Sequence, residues 1–184
     1  MKGLNSYEES EKATTCRTAS AGLEGKMSKR VFSLLVDNQA GVLSRVAGLF
    51  SRRGYNIDSL TVGETENPAY SRMTIVTSGE PEILEQIEKQ LLKLVDVLEI
   101  KVLPAGESVC KELIYVKVAT TADTRQQVIA IADIFHAKVV DVTAESLMME
   151  VTGQEGKINS FIELVSPYGI LELARTGVTG LARG

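Results

Sequence analysis

The sequence predicts an α+β chain built as two tandem βαββαβ sandwiches, and three observations predict it. Short apolar runs rich in β-branched residues, the signature of strands, alternate with stretches whose apolar residues recur at three- and four-residue steps, the signature of helices. Gly, Pro and Asn punctuate the junctions. After roughly 75 to 80 residues the same order starts again, as in a structural repeat.

The first strand is Val31 to Val36, a continuous apolar run that stops at the turn-forming Asp37-Asn38. A helix follows over Gly41 to Arg53: Val42, Val46, Leu49 and Phe50 form one apolar stripe, and Gly54 suits a helix stop. Ile57 to Thr65 and Tyr70 to Ser78 are β-prone and joined by Glu66-Asn67-Pro68-Ala69, so they read as an antiparallel hairpin. Pro81 fits the first turn of a second helix, with Ile83, Leu84, Ile87, Leu91 and Leu94 inward and Glu85 and Lys89 outward as an i,i+4 pair. Val97 to Leu103 closes the unit as a fourth strand. In this ferredoxin-like order two helices cover one face of a four-stranded antiparallel sheet.

The second unit retraces the first. A strand over Leu113 to Ala119 leads to a helix with Val128, Ile131, Ala132 and Phe135 inward, then strands near Val139 to Val142 and Leu147 to Val151. A helix with Ile158, Phe161, Ile162 and Val165 inward and a strand from Ile170 to Ala174 complete it. The expected partition is a tail over 1–29, a first module over 30–103, a linker over 104–111 and a second module over 112–184. Residues 1–26 are polar and nearly free of large apolar side chains, so they cannot offset chain entropy and are expected to be disordered. Met27 just before the first strand suggests an upstream choice of start codon. Each module alone buries only about 60% of its unfolded surface. Dimerisation through a sheet edge or face is therefore expected.

Composition and charge exclude several function classes. The chain is 44% hydrophobic and 24% charged over 184 residues, as soluble globular proteins are, and its formal net charge of -4 provides no diffuse field for nucleic acid or an anionic membrane. No apolar run approaches the roughly 20 residues that span a bilayer. Cys16 and Cys110 form neither a disulfide framework nor a CxxC pair, which points to a reducing cytoplasm. His136 is the lone histidine, so His-based metal clusters are excluded and a structural role at a helix end is expected. Lys26 and Lys157 follow glycines, but Ser20 or Val151 stands where a P-loop needs its first glycine, and Met27 or Ile158 replaces the hydroxyl residue. Stacking rings for RNA are missing: Leu34, Ile75 and Val76 occupy those places. No catalytic residue and no metal ligand is assigned.

The connection Asp37-Asn38-Gln39-Ala40-Gly41 is the segment with a functional look. It opens a helix whose first N–H groups lack intrahelical acceptors and carry the positive end of the helix dipole, where a ligand carboxylate fits. Gly41 removes a side chain at the closest approach, and the Asn38 amide both accepts from an ammonium and donates to a carboxylate. An ordinary helix entry favours the same residues.

Val31-Phe32-Ser33-Leu34-Leu35-Val36-Asp37-Asn38-Gln39-Ala40-Gly41-Val42-Leu43-Ser44-Arg45-Val46 is similar to the start of an ACT domain, the amino-acid-sensing module of many biosynthetic regulators. Gly48-Leu49-Phe50-Ser51-Arg52-Arg53-Gly54-Tyr55-Asn56-Ile57-Asp58-Ser59-Leu60-Thr61-Val62 resembles the small regulatory subunit of acetolactate (acetohydroxyacid) synthase. Further matches at Ser71 to Ile75, Gln86 to Leu91, Val95 to Val97, Val140 to Thr143 and Arg175 to Val178 extend the likeness over nearly everything after residue 30.

The resemblance implies an N-terminal ACT domain, a C-terminal ACT-like domain and a chain with no acetolactate synthase activity of its own. It implies activation of a catalytic large subunit that uses thiamine diphosphate, Mg and FAD, and feedback inhibition by valine or a related branched-chain amino acid. In the family the valine site lies between two ACT domains of a homodimer, formed by the glycine-containing turn of one chain and the Asn of the Gly-Tyr-Asn-Ile run of its neighbour. The matching residues are Asn38, Gly41 and Asn56, with Val42, Leu43 and Ile57 flanking them as an apolar wall. The second module has no copy of the Asn-x-x-Gly turn. The competing expectations are an ACT regulator of another enzyme, an enzyme with a cleft between the modules, and an RNA-binding tandem.

Overall fold

The structure, a computed structural model, describes residues 27–184; the expected tail over 1–26 lies outside the described residues. The first module runs β1 (Ser28–Asp37), α1 (Val42–Arg52), β2 (Ser59–Glu64), β3 (Tyr70–Gly79), α2 (Pro81–Leu91) and β4 (Val97–Val102). Its sheet has the order β2-β3-β1-β4, with every pairing antiparallel. Alternation along β1 sends Phe32, Leu34 and Val36 to one face, and register places Ile75 opposite Phe32 and Met73 opposite Leu34. The α1 stripe Val42, Val46, Leu49 and Phe50 and the α2 stripe Leu84, Ile87 and Leu91 close over that face as one core. Fully burying each such side chain contributes about 1.5–3 kcal/mol. The expected pair of Glu85 and Lys89 stands at 3.9 Å on the solvent side.

The second module comprises β5 (Ser108–Ala119), α3 (Arg125–Ile134), β6 (Lys138–Val142), β7 (Ser146–Gly153), α4 (Glu155–Val165), β8 (Ile170–Arg175) and β9 (Thr179–Ala182). Its sheet order β6-β7-β5-β8 repeats that of the first module, and β9 pairs separately with β5. Ile114, Val116 and Val118 meet Val128, Ala132, Ile158, Phe161 and Val165 in a second core. The chain therefore carries two ferredoxin-like halves, as the periodicity requires.

Two departures from the expected elements share a cause. β5 begins at Ser108 rather than Leu113, so strand occupies half of the stretch 104–111 expected as a linker. The extra residues are held by β9, an unexpected strand, with Ser108 opposite Ala182 and Lys111 opposite Thr179. Long-range pairing has converted a segment with no local strand signal. Beside β9, the Val178 amide donates to Ser59 Oγ at 2.9 Å and Thr61 Oγ1 donates to the Val178 carbonyl at 2.9 Å. Leu60 between them packs into the first core, so these contacts lie on the sheet face turned away from the helices. The second module thus meets the first sheet on the face that sequence left open, and Lys29 of β1 pairs with Glu155 of α4 at 2.6 Å.

The repeat extends to helix ends. After α1, Gly54 sits at φ 70, its N–H donating to the Ser51 carbonyl and that of Tyr55 to the Phe50 carbonyl, which is a Schellman stop. After α3 the same stop is made by His136 at φ 52, with N–H bonds from His136 to Asp133 and from Ala137 to Ala132. A side chain in the left-handed region costs about 1–2 kcal/mol that glycine avoids. His136→Gly is therefore expected to raise stability by about 1 kcal/mol, read as a higher urea midpoint. A lowered midpoint would show that the imidazole has a stabilising role.

Candidate functional site

The turn between β1 and α1 is fastened at three points. The Asp37 N–H donates to the Asp96 carbonyl at 3.0 Å and the Asn38 N–H to the Ala69 carbonyl at 2.8 Å. The Asn38 side chain donates from Nδ2 to the Pro68 carbonyl at 2.9 Å and accepts from Ser71 Oγ at 3.0 Å. Asn38 is thus a clamp between the turn and the β2–β3 hairpin. It retains one amide hydrogen and a lone pair for a ligand.

Gly41 stands at φ 90 as the N-cap of α1, and no side chain caps the helix. An L-residue is strained there, so glycine is a backbone requirement as well as an opening. Helix geometry leaves the first amides without intrahelical acceptors and with the positive end of the dipole; the Val42 N–H donates to the Gln39 carbonyl at 3.3 Å, which leaves those of Leu43 and Ser44 for a ligand. Arg45, one turn on, forms a two-pronged pair with Asp96 at 2.6 and 2.7 Å that ties the first turn to the start of β4. Sequence reasoning missed this brace, because the partners are 51 residues apart and neither lies in a spacing motif.

The flanking residues separate by role. Leu43 is exposed beside the helix entry, whereas Val42 is only 2% exposed and lies within the core. Ile57 is half-buried against the same core. Asn56 is exposed; its Nδ2 donates to Asp58 Oδ1 at 2.7 Å and its carbonyl accepts from Thr77 Oγ1 at 2.6 Å. Asp58 in turn accepts from Ser78 Oγ at 2.6 Å.

One chain does not bring all these residues together. Asn38, Gly41 and Leu43 gather at the start of α1, while Asn56 and Ile57 follow its end. The 11 residues of α1 hold the two groups about 16 Å apart. A single amino-acid ligand cannot touch both sets within one protomer.

The second module lacks this opening. Its corresponding turn, Thr120 to Thr124, keeps the backbone tie to the hairpin, the Thr120 N–H donating to the Glu145 carbonyl at 2.8 Å. The clamp there is Arg125, whose guanidinium donates to the carbonyls of Thr143 and Ala144 at 2.8 and 2.5 Å. Elsewhere, the Glu150 carboxylate accepts from the Tyr115 hydroxyl at 3.1 Å and pushes that phenol above its ordinary range. Among the described residues no group of three His, Cys, Asp or Glu side chains is placed to hold a metal, and no helix is long and apolar enough to cross a membrane.

Comparison with known proteins adds independent findings. Residues 32–99 match the family model of the AHAS small subunit-like ACT domain, and residues 111–184 match that of the small subunit of acetolactate synthase. A probable acetolactate synthase small subunit of Methanothermobacter thermautotrophicus is 47% identical over 163 residues, covering 88% of this chain and 97% of that protein. The small subunit of acetolactate synthase isozyme 3 of Escherichia coli is 46% identical, covering 85% of this chain and 96% of that one. The crystal structure of the acetolactate synthase small subunit from Thermotoga maritima superposes with a TM-score of 0.79 at 38% identity, over 85% of this chain and 98% of that chain. Both modules and nearly all of the described chain are spanned by these matches, and the chain belongs to the family of acetolactate synthase small subunits.

Proposed function

We propose that the chain is the non-catalytic regulatory subunit of acetolactate synthase, acting in the cytoplasm to activate the catalytic subunit and confer feedback inhibition by valine. The thiamine diphosphate, Mg and FAD belong to that partner, and this chain carries no cofactor of its own. The observation that supports the reading best is the separation of the candidate residues to opposite ends of α1. Two half-sites on one helix are what a two-fold dimer needs. β2 is an edge strand next to the α1–β2 connection. Pairing two β2 edges about a two-fold axis makes the two α1 helices antiparallel, so the Gly41 end of one chain faces the Asn56 end of the other.

In that arrangement the valine carboxylate meets the amides of Leu43 and Ser44 in the first turn of α1, its ammonium takes the carbonyl oxygens of the Asn38 and Asn56 amides, and Leu43 and Ile57 flank the isopropyl group. Valine inhibits by favouring one geometry of the dimer relative to the catalytic subunit; equal affinity for both geometries shifts nothing. Reciprocity then requires the catalytic subunit to alter valine affinity by the factor by which valine alters activation through binding.

Calorimetric titration of valine tests the site. Saturable binding is expected for the parent chain, and Asn56→Ala should weaken it about tenfold or more, the loss of at least one hydrogen bond to a charged group. Parent-like affinity in Asn56→Ala would remove that residue from the site. Should the isolated chain bind nothing, the titration is repeated on the complex with the catalytic subunit; silence there too would overturn valine as the ligand.

A further inference from the structure

A second cleft, of about 750 Å³, lies between the modules, well inside the size range of small-molecule sites. Val31, Val76, Val102, Leu103 and Val178 give it apolar walls contributed by both modules, and Ala105 stands in the turn at its border. Three cations line it: Lys29, Arg30 and Lys111. Lys29 is neutralised by Glu155 at 2.6 Å, and Arg30 is drawn to Glu88 at 3.6 Å. Lys111, among the described residues, has no carboxylate at ion-pair distance. An apolar chamber with one unmatched positive charge is complementary to a molecule with an apolar body and a single negative charge.

The geometry points to a second ligand site in this inter-module cleft, for an amphipathic anion: an aliphatic or aromatic acid without an ammonium group. The chemistry separates it from the amino-acid site at the helix end. An α-ammonium finds only one carboxylate on the lining, Glu155, and that one is already held by Lys29. A ligand there touches β1, the turn after β4, β5 and Val178 at once, so its affinity depends on how the modules sit, and its binding holds them so.

The probe for the test is 8-anilinonaphthalene-1-sulfonate, an aromatic body with one negative charge, titrated into the full chain with fluorescence as the readout and octanoate as competitor. Saturable one-to-one binding displaced by octanoate is expected. Lys111→Glu should raise the Kd about tenfold or more, and Ala105→Trp, which places an indole at the cleft, should abolish binding. Valine titration of both variants should match the parent, which separates failure of this site from failure of the amino-acid site. Lys111 is exposed, so its replacement leaves the fold intact even if the tryptophan variant proves unstable. Dye binding unchanged in Lys111→Glu, or not displaced by octanoate, would overturn the assignment.

Discussion

Two variants that each bind valine about tenfold or more weakly than the parent, Gly41→Val and Asn56→Ala, are expected to regain parent-like binding when unfolded together and refolded as mixed dimers. The reason lies in α1, which keeps the two groups at opposite ends of an 11-residue helix. In the proposed two-fold dimer each valine site takes Gly41 from one chain and Asn56 from the other. A mixed dimer concentrates both lesions in one site and leaves the other intact. Random assortment makes half the dimers mixed, so about a quarter of all sites should recover, with parent-like affinity. Gly41→Val fails alone because a β-branched residue is forced into a φ of 90, at a cost of about 1–2 kcal/mol in the left-handed region, and because its side chain narrows the helix entry. Calorimetric stoichiometry measures the recovery. A mixture with no more high-affinity sites than its parents would mean that both residues serve one chain's site, or none.

The second large effect concerns stability. Glu112 on β5 is 2% exposed at its side chain, and its carboxylate is answered by the guanidinium of Arg175 on β8, which donates through Nε and through its terminal nitrogen. Arg175→Ala strands a buried carboxylate, and breaking such a pair costs about 3 kcal/mol. In a module of this size that corresponds to a fall in Tm of roughly 10 °C or more. Removing both charges, as Glu112→Leu with Arg175→Leu, should restore most of the loss, because the cost comes from the orphaned charge more than from the missing attraction. Thermal unfolding followed by circular dichroism distinguishes the two. A single variant within about 1 kcal/mol of the parent would show that solvent reaches Glu112.

Local pattern made the fold legible. The stripe Val42, Val46, Leu49 and Phe50 is buried as its spacing predicts, and Leu84, Ile87 and Leu91 behave likewise. The β-prone run Tyr70 to Ser78 anticipated β3 nearly to the residue. Features fixed by distant partners were not legible. Thr179–Ala182 is short, holds one large apolar residue and becomes strand only because Ser108–Lys111 offers it an edge. Arg45 and Asp96, or Lys29 and Glu155, meet only once the fold is complete. At the candidate site the helix-entry glycine was readable from its residue type. Val42 is a wall candidate only because it flanks Gly41 in the family motif, whereas its place in the apolar stripe of α1 puts it in the core, where the structure finds it.

The pairing of β9 with the first residues of β5 also sets an order of assembly. Every strand of the first sheet has been made by residue 102, although its pairings reach from Phe32 to Val102 and from Ser28 to Gly79. Its outer face then stays wet until Thr179–Ala182 arrives and closes on Ser108–Lys111, bringing Val178 onto Ser59 and Thr61. In vectorial synthesis the first module is therefore complete as a sequence before the segment that ties it to the second exists, and the joining of the two modules can only follow the making of Thr179–Ala182.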